Sequence, residues 1–378
     1  MATVNIKNIF SKLVFVIGCL FTIVYFLSCL TPYINPTKFY IFTFLPLLFP
    51  ILLAGMLVWV LISFIFYRRK SWIFLLILFL GIKNICSTFS FNIPKAFVQE
   101  KQATNIRLLS WNVEDFLDSQ LHTDTVGNAR RDMIAFIKEA NADIVCIQDF
   151  SEKISPAFRS GINDVKATNN YPYFVFNKDF DKQYYYARSQ YGTAVFSKYP
   201  IIDSGCYKYA DNHFPESLAF VDVKYNADTI RVFNTHLQSM YLKYVAVETD
   251  STNDFIKDKL DFLLKNTQPH QRIRYFDVRH VAQAKMVKNV LNICKYPFIF
   301  CADLNSVPAS YVYHTIQNNL TDAFIAKGSG ISGTYDGIAP TLRIDVVLMS
   351  KQLQPVQYYS PKLHYSNHFP IITDLQIK

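Results

Sequence analysis

Residues 296–306 read Tyr-Pro-Phe-Ile-Phe-Cys-Ala-Asp-Leu-Asn-Ser. Phe298 to Cys301 is a short apolar run entered through Pro297, which predicts a buried strand. Asp303, Asn305 and Ser306 follow at once. Polar groups at the carboxyl end of a core strand sit where α/β sheets place their chemistry. Asp303 and Asn305 are two apart, so on extended backbone they share a face. A carboxylate and an amide placed that way could share a hard metal ion and a nucleophilic water. The same residues also suit an Asx-rich turn that merely ends a strand. The rest of the chain decides between the two.

Around this stretch the pattern repeats. Strand-like runs occur at Ile106–Trp111, Asp143–Ile147, Phe174–Phe176, Thr193–Ser197, Leu218–Val223, Ile230–Thr235, Leu342–Met349 and Ile371–Ile377. Helical spacing is clear in Ala129–Ala140, through Met133, Phe136, Ile137 and Ala140. It recurs in Val278–Ile293, through Val281, Ala284, Val287 and Leu291. Many strands with few helices predict a layered α/β sandwich, not a doubly wound parallel sheet. Residues 241–276 read as a charge-rich, partly helical insertion.

The chain has 378 residues and a net charge of +9. Residues 1–94 contain no Asp or Glu and seven basic residues, which leaves 31 basic against 29 acidic residues for 95–378. The excess charge therefore belongs to the N-terminal third, and pI gives no argument for a nucleic-acid binder. The seven cysteines show no CxxC pair and no disulfide framework.

That N-terminal third carries three apolar runs, Leu13–Leu30, Phe39–Tyr67 and Trp72–Ile93, the last interrupted by Lys83 and Asn84. Each approaches the roughly 20 residues that cross a bilayer. A cleaved signal peptide would explain only the first. The expectation is a membrane anchor of three transmembrane helices over 1–94, a linker over 95–104, and a catalytic domain over 105–378. Arg68, Arg69 and Lys70 mark the turn between the second and third runs as cytoplasmic. Three crossings then make a multi-pass membrane protein with its domain outside the cytoplasm. If the third run does not span, the domain faces the cytoplasm instead.

Nearly every predicted strand ends in a polar residue. Asn112 follows the first in Ser-Trp-Asn, and Gln148 and Asp149 follow the second. His236 ends Asn-Thr-His-Leu, Asp345 sits in Arg-Ile-Asp, and Ser366, Asn367 and His368 precede the last strand. Singly, each also fits a turn, a cap or a structural ion pair. As an ordered series they resemble the endonuclease/exonuclease/phosphatase superfamily. The resemblance rests on Ser-Trp-Asn, Ile-Gln-Asp, Tyr-Gly-Thr-Ala-Val-Phe-Ser-Lys-Tyr-Pro (191–200), Asn-Thr-His-Leu (234–237), Ala-Asp-Leu-Asn-Ser (302–306), Arg-Ile-Asp (343–345) and Ser-Asn-His-Phe-Pro (366–370).

The resemblance implies a four-layer α/β sandwich, two packed mixed β-sheets flanked by helices, with its site at one edge. It implies a phosphoester hydrolase using Mg²⁺ or Mn²⁺. Asn112, Asp149 and Asn367 would hold the metal. Asp303, with Asn305 beside it, would activate the attacking water. His368, oriented by Asp345, would assist the leaving group, and His236 would be a second phosphate-facing imidazole. Gln283 matches a family helix position. Two departures stand out: Asp149 replaces the usual Glu, and Asn367 the usual Asp before the final His. Both should weaken metal affinity.

The implied partners are a phosphate-ester substrate (nucleic acid, lipid headgroup or phosphorylated small molecule) and the bilayer, through residues 13–93. No protein partner is inferable. Alternatives are a lipid-headgroup phosphodiesterase at the membrane surface and a catalytically weakened phosphate-binding scaffold. Tyr184, Tyr185, Tyr186, Arg188 and Tyr191 form an aromatic–basic cluster that could stack bases, contact sugars, lie at the interface or simply pack.

Overall fold

A computed structural model describes residues 6–116, 124–155, 160–183, 187–210, 216–239, 269–336, 341–363 and 365–378. It opens with helices α1 (Ile6–Cys29), α2 (Ile41–Phe66), α3 (Ser71–Leu80) and α4 (Ile82–Thr88), then the two-residue strand β1 (Phe89–Ser90). The sandwich follows as β2 (Ile106–Asn112), α5 (Asp124–Ala140), β3 (Ile144–Ile154), α6 (Gly161–Asn169), β4 (Tyr173–Gln183), β5 (Arg188–Ser197), β6 (Ile201–Lys208), β7 (Ser217–Tyr225) and β8 (Asp228–His236). It closes with α7 (Pro269–Ile293), β9 (Phe298–Asp303), α8 (Tyr311–Gln317), β10 (Thr321–Asp322), α9 (Ala323–Lys327), β11 (Gly330–Ile331), β12 (Asp345–Met349), β13 (Leu353–Tyr359) and β14 (Ile371–Ile377).

Two six-stranded sheets form, ordered β13-β14-β2-β3-β5-β4 and β10-β12-β9-β8-β7-β6. In each, one central pair is parallel, β2 with β3 and β8 with β9, and the other pairs are antiparallel. The period of two builds the layers. Ile106, Leu108, Ile144 and Cys146 of the first sheet pack against Val232, Ile299, Cys301 and Val347 of the second. The opposite faces take helices: Leu109 and Trp111 meet Met133 and Ile137 of α5, and Phe233 and Phe300 meet Ala284, Val287 and Leu291 of α7. The expected four-layer sandwich is therefore the observed one.

The same period places the polar residues. Counting on along the inter-sheet face from Leu108 gives Ser110 and Asn112. From Cys146 it gives Gln148, from Val232 Asn234 and His236, and from Cys301 Asp303. Counting back from Val347 gives Asp345. The apolar face of each strand thus turns polar at one common end, where both sheets converge.

Several boundaries differ from the sequence reading. Residues 240–268, most of the expected insertion, lie outside the described residues, as do Tyr184, Tyr185 and Tyr186. The last part of the insertion is instead the start of α7, because buried Phe276 extends that helix's apolar stripe. Strands β6 and β13 and helices α6 and α8 were not anticipated. β6 is an exposed edge strand and β13 has an irregular register, so neither shows a clean alternation.

The expected third span is broken. Among the described residues two helices, Ile9–Cys29 and Ile41–Phe66, are long and apolar enough to cross a membrane, and α3 and α4 meet at 52°. The break falls at Gly81, where a Cβ would lie 2.2 Å from the Tyr25 hydroxyl. That hydroxyl instead donates to Leu78 O at 2.9 Å, within the last turn of α3. A side chain inserted at a glycine is a recognised cause of a kink. Beyond it, buried Asn84 donates to Ser28 O at 2.8 Å and Thr31 Oγ1 at 3.1 Å. The bent pair therefore runs beside α1 from the basic turn at 68–70 to the opposite end of the bundle.

Arg107 and Asp374 tie β2 to β14 from inside the protein, at 2.7 Å and with side chains 2 % and 1 % exposed. Removing one member leaves a buried charge uncompensated, which costs about 3–5 kcal/mol. Arg107→Leu is expected to destabilise the sandwich by that amount, read as a lower denaturant midpoint of the purified chain. A midpoint within error of the parent would show that the pair is not stabilising.

Candidate active site

At the convergent end of the sheets, Asp303 is fully buried. It ends β9 in register with Asp345 of β12 and with His236 of β8. Asn112 Nδ2 donates to Asp303 Oδ2 at 2.9 Å and to Asp149 Oδ2 at 3.2 Å. The Asn305 backbone N–H donates to Asp303 Oδ1 at 2.8 Å, with Asn305 at φ 45°. The stretch is thus an Asx turn and a cluster of reactive groups at once. Burial and the neighbouring Asp345 raise the Asp303 pKa, against the pull of His368 and His236.

His368 Nδ1 lies 3.0 and 3.2 Å from the two oxygens of Asp345 and 3.6 Å from Asp303 Oδ2. Burial disfavours its charged form, but Asp345, Asp303 and Glu114 outweigh burial and raise its pKa to about 10. Trp111 Nε1 donates to His368 O at 2.9 Å, and Ser366 Oγ accepts from His368 N at 3.0 Å and donates to Asn112 O at 3.1 Å. The strand-end motifs of β2 and β14 therefore hold each other.

Asp149 reaches the site through a bulge. The β3–β5 register shifts between Ile147 and Phe150, and Asp149 has φ 49°. This extra residue re-aims the side chain. Tyr191 of β5 donates its hydroxyl to Asp149 Oδ1, and His236 Nδ1 lies 2.8 Å from the same atom. Asn305 Nδ2 donates to Leu237 O at 2.8 Å and sits 2.9 Å from His236 Nε2. Burial opposes charge on His236, yet Asp149, Glu216 and Asp303 together raise its pKa to about 10. The carboxylates thus favour the cation, whereas the Asn305 amide needs Nε2 as an acceptor. Both ring nitrogens face protein groups, so His236 positions Asp149 and Asn305.

The sequence reading passed over Glu114. Its carboxylate accepts from Asn367 N and Asn367 Nδ2, each at 2.7 Å, and from Ser366 Oγ at 3.2 Å. Glu114, Asp115 and Phe116 have φ values of 46°, 63° and 51°. Consecutive left-handed non-glycine residues are strained and persist only where surrounding contacts over-determine them. His280 was also missed; it lies 2.5 Å from Gln238 O, and Gln283 Oε1 accepts from Gln238 N at 3.3 Å. Helix α7 thereby fixes the segment after His236. Gln148 and Asn234 join the two sheets at 2.7 Å. Arg188, from the aromatic–basic cluster, is paired with Asp181 at 2.5 Å.

The donor set suits a hard cation. Asp303, Asp345 and His368 bring possible ligand atoms within 4.8 Å of one another. Asn112, Asp149 and Asn367 add carboxylate and amide oxygens, the chemistry Mg²⁺ and Mn²⁺ select. Asn112 Oδ1 accepts from Glu114 N at 3.0 Å, on the side of the amide away from Asp149 and Asp303.

Two mixed sheets with a carboxylate–imidazole cluster at their shared end describe a phosphoesterase fold. Residues 109–366 match the Endonuclease/Exonuclease/phosphatase family. The chain belongs to that family, whose members are generally phosphoester hydrolases that typically use divalent metals. Residues 11–88 match a domain of unknown function. Among curated proteins no relative matches. The fold is also similar to a functionally unknown conserved protein from Enterococcus faecalis V583, at 15% identity over 72% of this chain and 100% of that one, TM-score 0.50. An endonuclease/exonuclease/phosphatase from Bacteroides vulgatus aligns at 17% identity over 73% and 100%, TM-score 0.49. The human Nocturnin catalytic domain aligns at 14% over 73% and 95%, TM-score 0.49.

Asp345 is the largest favourable influence on the His368 cation. Asp345→Asn is expected to lower the His368 pKa, read by NMR titration of the imidazole in metal-free protein. The sign for stability follows. A histidine raised from 6.5 to about 10 stabilises the fold fully below pH 6.5 and loses that contribution as pH rises through 10. The variant should flatten this alkaline decline; an unchanged titration would exclude the dyad.

Proposed function

We propose that this protein is a membrane-anchored, Mg²⁺- or Mn²⁺-dependent phosphoester hydrolase that works by activated-water attack. The observation that carries the reading is the buried Asp303 placed between Asn112, His236 and the His368–Asp345 pair; burial and Asp345 push its pKa up. A carboxylate with a raised pKa is a better base for deprotonating water near neutral pH. His368 holds a proton firmly through Asp345 and has Nε2 to offer a leaving oxygen. Asn112, Asp149 and Asn367 would hold the cation, which when bound supplies charge neutralisation on the phosphoryl oxygens. Asn305 and Glu114 orient the groups beside it.

The test uses the full chain in detergent with bis(p-nitrophenyl) phosphate and p-nitrophenyl phosphate, with Mn²⁺ or with chelator. Asp303→Asn is expected to lower the Mn²⁺-dependent rate by at least about 10³-fold, the scale of losing a general base. Hydrolysis that survives in Asp303→Asn, or that is indifferent to chelation, would rule this reading out.

The orientation reading is that α1, α2 and the bent α3–α4 pair each cross the bilayer, leaving the sandwich outside the cytoplasm. Arg68, Arg69 and Lys70 support it, because they lie at the bundle end away from the sandwich. Cys206 is exposed on β6. It is expected to react with a membrane-impermeant maleimide in right-side-out vesicles, with Cys206→Ser as control. Labelling only after permeabilisation would place the sandwich inside.

A further inference from the structure

The bundle and the sandwich touch directly, at the end where α1 stops, α2 starts and α4 stops. Thr31 Oγ1 lies 2.6 Å from Ala309 O and 2.8 Å from Ser28 O, and Ser87 Oγ lies 3.1 Å from Pro308 O and 3.0 Å from Asn84 O, so each hydroxyl hydrogen is shared between the bundle and the sandwich. Arg343, 2 % exposed, donates to Ser87 O at 2.8 Å and to Asp322 Oδ2 at 2.7 Å. Thr43, in the first turn of α2, donates to Asp277 of α7. Ser90 Oγ donates to Gly328 O at 2.7 Å, and β1 pairs with β11. Ala309 packs into the bundle's own apolar cluster. Most of these groups are buried, so separating the two parts would leave several polar groups unpaired, at about 1–3 kcal/mol each if they stay dry.

The contacts fall beside the site. Ala309 is six residues past Asp303, a span of at most about 20 Å. Arg343 is two residues before Asp345. Asp277 lies about one helical turn, roughly 5 Å, before His280, which holds Gln238 next to His236. The bundle therefore docks at the same end of β8, β9 and β12 that carries Asp303, His236 and Asp345. The polar layer of a bilayer adds roughly 5–8 Å on each side of its hydrocarbon core. A docked site is held close to that layer, where a flexible linker would let it wander.

The flanking side chains fit the same depth. Tyr33, Phe39 and Tyr40 are exposed at the docked end of the bundle, as are Phe91 and Ile93 just beyond it and Val278 beside Asp277. Lys83 lies 4.4 Å over the Tyr33 ring. Aromatic rings and snorkelling lysines favour the membrane–water boundary.

We propose that the helical bundle is a docked part of the catalytic unit that fixes the site at the headgroup layer, and that its substrate is a phosphate ester resident in the bilayer. The inference rests on the phosphoesterase reading above. In the reaction a water oxygen bonds to phosphorus, and its proton goes to Asp303. One ester P–O bond breaks, and the departing oxygen takes the proton of His368.

The experiment uses the full chain in vesicles of phosphatidylethanolamine, phosphatidylglycerol and phosphatidic acid, with ³¹P NMR to read products. Parallel arms offer the matching water-soluble glycerophosphate esters and bis(p-nitrophenyl) phosphate. A protease site is inserted in the exposed stretch between Pro94 and Lys95. Expected are lipid turnover about a hundredfold above the soluble esters, the scale of a raised effective concentration, and co-elution of the two fragments after cleavage. Thr31→Val, Thr43→Val and Ser87→Ala together should weaken co-elution of the cut fragments and reduce the lipid preference while leaving the bis(p-nitrophenyl) phosphate rate unchanged. Soluble esters turned over as fast as lipids, or a cut parent sandwich that leaves the bundle, would overturn the inference while the phosphoesterase reading stands. Absence of Asp303-dependent hydrolysis in every arm would overturn both.

Discussion

The buried carboxylate of Asp303 is the constraint on which this structure turns. Ionising such a group away from water costs several kcal/mol unless its surroundings replace the lost solvation. No single strand supplies that replacement. Asn112 comes from the first sheet, the Asn305 amide from the turn after β9, and the imidazoles of His236 and His368 from the end of β8 and the approach to β14. They meet only when the two sheets are packed face to face. The apolar inter-sheet contact therefore brings the site together.

The way each element was legible differs by cause. Asp303 and Asn305 could be read because an apolar strand ending in polar residues is a pattern in the letters themselves. Asn112, His236 and Asp345 followed from the same alternation, since a residue two positions beyond a core residue keeps its face. Asp149 was legible by order alone; its position depends on a bulge, and no letter in Ile-Gln-Asp announces one. Glu114 was missed for a related reason: it reaches Asn367 through three left-handed residues that are not glycines. The break at Gly81 had a partial signal in Lys83 and Asn84, but its cause is Tyr25, more than fifty residues away. The docking of the bundle was invisible, because the acceptors on Ala309, Pro308 and Ser87 are backbone carbonyls, which every residue has.

The two departures from the family pattern look different once their neighbours are known. Asp149 is one methylene shorter than the usual glutamate, and from its bulge it contacts Asn112 and His236. Asn367 gives up a charge, yet its amide hydrogen and its backbone N–H both point at Glu114, at 2.7 Å. An aspartate at 367 would set a second carboxylate against the first, and like charges that close cannot both ionise cheaply. Asparagine is the residue of that shape that can donate to Glu114. Asn367 and Glu114 form one hydrogen-bonded arrangement, with the amide on the residue before His368 and the carboxylate on the residue two after Asn112. The Glu114–Asn367 pair sets one carboxylate beside Asn112 and His368.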